Sequence, residues 1–336
     1  MTLIELLVVV SILLLVALIA IPAVRPGLEG QRTREAARMV NVFISNARNR
    51  AEATGRPYGV EIERLTGLPL ASAVLHQVEV PPPYAGDFQD SRIAIDSGGV
   101  VSFPRGEGEA PYTSGLIQRG DMLKLNYQGH VWVILSIGTA ANRVWILSST
   151  TGPPQPTTPT DGLPFQIFRQ PVRTSAAPLQ LPRGTVIDLT YSGFATPANR
   201  FLPAGPGDAT PVRIMFSPNG ALWRVWATWF PGVPPTEPVF LLVGRRTRVP
   251  TNLQTRASDG ALLIDGVLAA NWTGPSPAED LWTNLEDLGN FWITIQAQTG
   301  LATTADVADS SGAPSVPAAI AAARGEAATS RPVGGR

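Results

Sequence analysis

Residues 6–21 form a run of apolar side chains interrupted only by Ser11, with a single charge, Glu5, just before it. With residues 1–4 the stretch reaches some twenty residues, enough as a helix to cross ~30 Å of hydrocarbon. A run this long cannot be hidden by one small domain, so it asks for lipid or for neighbouring helices. A secretory signal would place basic residues before the run and a small-residue cleavage site after it. Here no basic residue precedes it, and Pro22, Arg25 and Pro26 follow. An ordinary membrane anchor gives no reason for an acid at position 5, since an ionisable group within hydrocarbon costs at least ~2.5 kcal/mol. The first cation downstream is Arg25, about 30 Å away along a helix at ~1.5 Å per residue. Glu5 is therefore expected to pair with the α-amine of Met1, its own or that of an adjacent copy.

Beyond Pro22, Pro26 and Gly27 the pattern turns amphipathic. Ala36, Val40, Phe43, Ile44, Ala47 and Ala51 recur at three- and four-residue spacing, with Arg and Glu on the other faces. Gly55 and Pro57 then read as a helix stop. From residue 57 the chain reads as β, with short Val-, Ile-, Phe- and Trp-rich runs such as 58–61, 74–80, 131–137, 186–189, 212–216, 239–243 and 291–295. No helical segments alternate with these runs, which excludes a doubly wound nucleotide-binding fold. The fold expected is α+β: a long N-terminal helix, apolar in its first half and amphipathic in its second, packed on antiparallel sheets. The domains expected are a helix over 1–56, a β-rich body over 57–302 and an Ala/Gly/Pro-rich tail over 303–336, mobile by default, in which Ala318 to Ala328 could form a short helix. Pro-rich punctuation at 81–83 and 152–159 suggests an inserted β-subdomain at about 84–168.

Composition narrows the chemistry. The 336 residues carry 26 basic and 26 acidic side chains, so no net field draws nucleic acid or acidic partners. Absence of Cys removes disulfides, thiol catalysis and Cys-ligated metals. His76 and His130 are the only histidines, and neither sits in a nucleophile elbow; no P-loop or dinucleotide fingerprint occurs. Glu279, Asp280, Glu286 and Asp287 form an acidic cluster that reads as a solvated loop ahead of a calcium site. Arg119, Gly120 and Asp121 spell an adhesion tripeptide but read as a turn entering a strand. Trp223 and Trp229 would share a face of one continuous strand, and core packing is the plainer reading. Arg245, Arg246 and Arg248 form a basic cluster that reads as a salt-bridged rim before a phosphate site. No cofactor, metal or enzymatic activity is expected.

The first ten residues, Met-Thr-Leu-Ile-Glu-Leu-Leu-Val-Val-Val, resemble the mature N-terminus of type IV pilins and type II secretion pseudopilins. The stretch from Ala36 to Ala51, the strand-like Tyr58 to Ile62, and Phe216-Ser217-Pro218-Asn219-Gly220 are similar to the GspH/FimT branch. The resemblance covers roughly 1–62 and 181–302. It implies a filament subunit whose leader is removed by a prepilin peptidase, leaving Met1 as the N-methylated residue. It further implies assembly through Glu5, Leu6, Val9, Ile12, Leu13 and Val16, and a helix bend or loss of helix at Pro22, Pro26 and Gly27. Many members carry Gly near position 14; Leu13, Leu14 and Leu15 are expected to stay helical. The implied partners are identical or related subunits, an inner-membrane assembly platform and lipid before assembly. The implied location is the bacterial inner membrane, then an extracellular filament or periplasmic pseudopilus. An alternative is a minor pilin binding DNA or another ligand at a filament tip, through Arg245 to Arg248 and the tail residues Arg324, Arg331 and Arg336.

Overall fold

The computed structural model describes the chain except residues 1–2, 106–114, 139–142, 149–154, 257–261, 265–266, 269–282, 310–314 and 330–336; side chains are not described for 16–28, 148, 230–231 and 267–268. The chain divides into two compact units, one built from Met1–Val78 with Thr174–Arg336, the other from Glu79–Arg173.

Among its described residues the first unit holds two large antiparallel sheets and a small one of Leu253–Thr255, Leu262–Ile264 and Val267–Leu268. Sheet I runs Leu179–Gln180, Val74–Glu79, Tyr58–Glu63, Val212–Phe216, Leu222–Ala227 and Phe230–Val233 across its width. Sheet II runs Ala71–Ser72, Thr185–Phe194, Val239–Arg245, Phe291–Ile295 and Ala302–Asp306. The central strands of sheet II are nearly continuous apolar runs because both faces are covered. The two-residue period of a strand sends Leu241, Val243, Ile293 and Ile295 to one core. Phe240, Leu242 and Trp292 go to the other.

Helix α1 (Leu3–Thr54) contributes to the first of these cores. Ala36, Val40, Ile44, Ala47 and Ala51 are fully buried against Val60, Ile62, Ile214 and Ile293. Small residues on that face let the backbone lie close to the strands. Asn41 Nδ2 donates to the Thr304 hydroxyl at 2.8 Å, and Arg48 Nε donates to the Thr299 carbonyl at 2.8 Å. The helix ends where Gly55 takes φ of 64° and returns its N–H to the Ala51 carbonyl, the left-handed stop that favours glycine.

Three expectations need correction. The fold is mostly antiparallel β-sheet, and α1 does not lie along the β domain over its whole length. The apolar residues 3–15 belong to none of the buried cores, and among the described side chains of α1 those that are buried lie within residues 33–51. The strands hold most of the core because their apolar residues face both ways, whereas a helix offers one stripe. Loss of helix at Pro22, Pro26 and Gly27 does not occur, since α1 is assigned without a break from Leu3 to Thr54. An interior proline forfeits one hydrogen bond and clashes with a single carbonyl, which flanking turns can carry. The 303–336 segment is not simply a tail. Ala302–Asp306 closes sheet II, and helix α2 (Val316–Thr329) buries Ile320, Ala323, Arg324 and Ala327 against its outer core. Those positions recur at helical spacing, so α2 has an apolar stripe despite its Ala-rich composition.

The second unit has its own core. A four-stranded antiparallel sheet runs Ile146–Ser148, Val131–Ser136, Met122–Leu125 and Phe165–Phe168. Leu123, Ile134, Trp145, Phe165 and Ile167 are buried on one side of it. The segment 84–168, where the sequence suggests an inserted β-subdomain, lies inside this unit.

Candidate assembly surface

Residues 3–15 are helical, including Leu13, Leu14 and Leu15. Eleven apolar side chains between Leu3 and Leu15 are 45–85% exposed, on every face of the helix. The one polar residue within the run, Ser11, donates its hydroxyl to the Leu7 carbonyl at 2.8 Å. That internal bond leaves the outer surface apolar. A helix apolar all round belongs inside something. At ~1.5–3 kcal/mol per fully buried aliphatic side chain, covering this surface is worth on the order of 10 kcal/mol. The described apolar run spans only about 20 Å at ~1.5 Å per residue. Among the described residues no helix is long and apolar enough to cross a membrane.

Of the expected assembly residues, Leu6, Val9, Ile12 and Leu13 are all exposed on this segment. Their three- and four-residue spacing gathers them into a seam. Glu5 sits one residue ahead of the seam, in the first helical turn. Met1 lies outside the described residues, as do the side chains of Val16, Pro22, Pro26 and Gly27.

The remaining candidates resolve into structural roles. His76 Nε2 is 2.8 Å from Glu63 Oε2, an ion pair between neighbouring strands. His130 stands edge-on to Trp132. Asp121 of the adhesion tripeptide is buried, and its carboxylate accepts from the backbone N–H of Gln118 and of Gln170. Burial pushes that carboxyl up, and no oxygen is left to present to a receptor. Glu286 caps Thr283, and Asp287 pairs with Arg248 at 2.5 Å and Arg245 at 3.4 Å. Glu279 and Asp280 lie outside the described residues, and no group of three or more metal-binding side chains occurs among those described. Trp223 and Trp229 are not on one strand, because the chain turns between Ala227 and Phe230. Trp226 is buried and Trp229 is 61% exposed.

Of the cations invoked for nucleic acid, Arg245, Arg248 and Arg324 are engaged elsewhere. Arg324 is buried on α2, donating to the carbonyls of Tyr191 and Thr196 with its guanidinium over the Phe240 ring. Burial lowers its pKa to about 9. Arg331 and Arg336 lie outside the described residues. Sequence reasoning read Arg245 to Arg248 as a salt-bridged rim, which the chain of charges Glu29–Arg245–Asp287–Arg248 bears out, but missed the acidic partners Glu29 and Asp287, which are far from the cluster in sequence. It also missed Arg64, a buried cation that donates to the carbonyls of Pro69, Phe201 and Thr210. No family model, curated protein or solved structure matches the chain.

Proposed function

We propose that this chain is a non-enzymatic structural subunit of pilin or pseudopilin type, which polymerises through its apolar N-terminal segment. One observation carries the reading: eleven apolar side chains of residues 3–15 are exposed around a single helix. That surface is covered when copies of the segment pack together in a filament core, with lipid as its cover before assembly. An apolar helix slides along its neighbours at little cost, so register needs a polar marker. Glu5, the sole charge at the head of the segment, supplies one by meeting the α-amine of Met1 on an adjacent copy. On this reading the partners are like subunits, a processing peptidase and a membrane assembly platform.

The test is filament yield in cells expressing variants at position 5. Glu5→Gln keeps the shape, removes the charge and should cut incorporation while the globular part stays folded. Glu5→Leu should enter membranes at least as well as wild type and assemble no better than Glu5→Gln. Wild-type yield from Glu5→Leu would remove the register mechanism. Wild-type yield after Ile12→Glu, which places a charge in the seam, would remove assembly through residues 3–15 altogether.

A further inference from the structure

A cavity of about 100 Å³ opens between α1 and one end of sheet II, lined by Glu29, Arg32, Thr33, Arg183, Thr185 and Arg245, with Gly184 and Thr247 completing it. We propose that it is an oxyanion site that takes a phosphate group. The volume matches roughly three waters at ~30 Å³ each, far below the ~300 Å³ of a drug-sized pocket. One small tetrahedral anion suits that space.

The charge is local and unusual for this chain. Basic and acidic residues balance at 26 each overall, yet the lining brings three guanidinium groups against one carboxylate. Among the described residues Arg32 and Arg183 form no ion pair, while Arg245 is held by Glu29 Oε2 at 2.8 Å and, from outside the cavity lining, by Asp287 Oδ2 at 3.4 Å. The planar fork of arginine matches phosphate oxygens two at a time.

The backbone sets these groups in place. Pro182 to Thr185 form a turn closed by the Thr185 N–H on the Pro182 carbonyl at 3.0 Å. Gly184 supplies the positive φ, 88°, that its third position demands. Arg183 is thereby carried at the turn's corner, beside the start of strand Thr185–Phe194. Arg246 donates its N–H to the Gly184 carbonyl, which fixes Arg245 and Thr247 beside the same turn. Glu29 and Arg32 lie one helical turn apart on α1 and form the opposite wall. Glu29 is thus an internal competitor: its carboxylate holds one arginine that an entering anion would take.

The site stands whether or not the chain polymerises, because it needs only the folded first unit. Its phosphate could be free or carried on an anionic lipid headgroup. Inorganic phosphate is titrated calorimetrically into the full chain in nonionic detergent, and again in phosphatidylglycerol nanodiscs. In detergent, saturable binding at one site is expected. Arg183→Gln and Arg32→Gln should each weaken it about tenfold or more, by loss of a charge-assisted bond. Glu29→Gln should tighten it several-fold, a gain that no misfolded variant gives. Arg119→Gln, in the other unit, should change nothing. Loss of the phosphate signal in nanodiscs identifies the lipid headgroup as occupant; an unchanged signal identifies the free ion. Absence of saturable binding in detergent, or equal affinities for wild type, Arg183→Gln and Glu29→Gln, overturns the site.

Discussion

Asp188 should make the first unit less stable as pH rises. Its side chain is fully buried on strand Thr185–Phe194, where it accepts from the Thr190 N–H and from Asn284 Nδ2, each at 2.9 Å. Burial pushes its carboxyl up to about 6, with the two hydrogen bonds opposing that shift in part. In the unfolded chain the group titrates near 3.9. Between those values the folded protein holds a proton that the unfolded chain has released. The sign follows from linkage: stability is greatest below about pH 4 and falls as pH rises through about 6. Roughly two units at ~1.36 kcal/mol each give about 3 kcal/mol of loss by neutral pH. Urea denaturation of wild type and Asp188→Asn at several values between pH 4 and 8 reads this directly. Other titrating groups, Asp208 among them at about 2, are common to both proteins and cancel in the difference. The amide in Asp188→Asn turns an N–H₂ toward Asn284, a cost that does not depend on pH. The wild-type advantage over Asp188→Asn should therefore shrink by about 3 kcal/mol from pH 4 to pH 8. A difference that stays flat across the range would refute the assignment of a protonated buried acid.

Two further outcomes concern packing. Ile44→Ala empties a fully buried site under α1 and should cost about 2–5 kcal/mol; hydrogen exchange should show lost protection in first-unit peptides and none around Ile134, whose core is separate. Gly59→Ala should cost about 1–3 kcal/mol by overpacking, read as a lower denaturant midpoint, because a Cβ there would meet the Ile214 carbonyl and lie 2.8 Å from Met215 Cα.

Local patterns were the legible part. The run over 291–295 reads as a strand from its residues, and Gly55 with Pro57 marks the helix end seen at Thr54. The helical spacing of Ala36, Val40, Ile44, Ala47 and Ala51 points to the face that is buried. At Pro22 and Pro26 the helix is not lost, because proline's local penalty says nothing of the turns on either side. α2 was legible only as an alternative at 318–328, since Ala and Gly in bulk look like a tail and the placement of Ile320 and Arg324 gives the stripe. Arg324 itself looked like a surface cation; its partners, Tyr191 on strand Thr185–Phe194 and Thr196 just after it, are distant in sequence. The phosphate-sized cavity was illegible for the same reason. Its arginines stand at positions 32, 183 and 245, and no window of sequence contains two of them.

Leu179 pairs with Leu75 and Gln180 with Val74 in sheet I, so the main chain leaves the first unit and re-enters it at one place. The detour, Glu79–Arg173, is about 95 residues, and closing it as a loose loop costs about 4 kcal/mol of entropy by (3/2)RT ln n. A detour that has already folded on its own core is no longer loose, and its two ends arrive together as a short tether. The sheet-edge pairing at Leu75 and Leu179 then forms between near neighbours. When the excursion condenses first, the edge of the host sheet has only a short loop left to close.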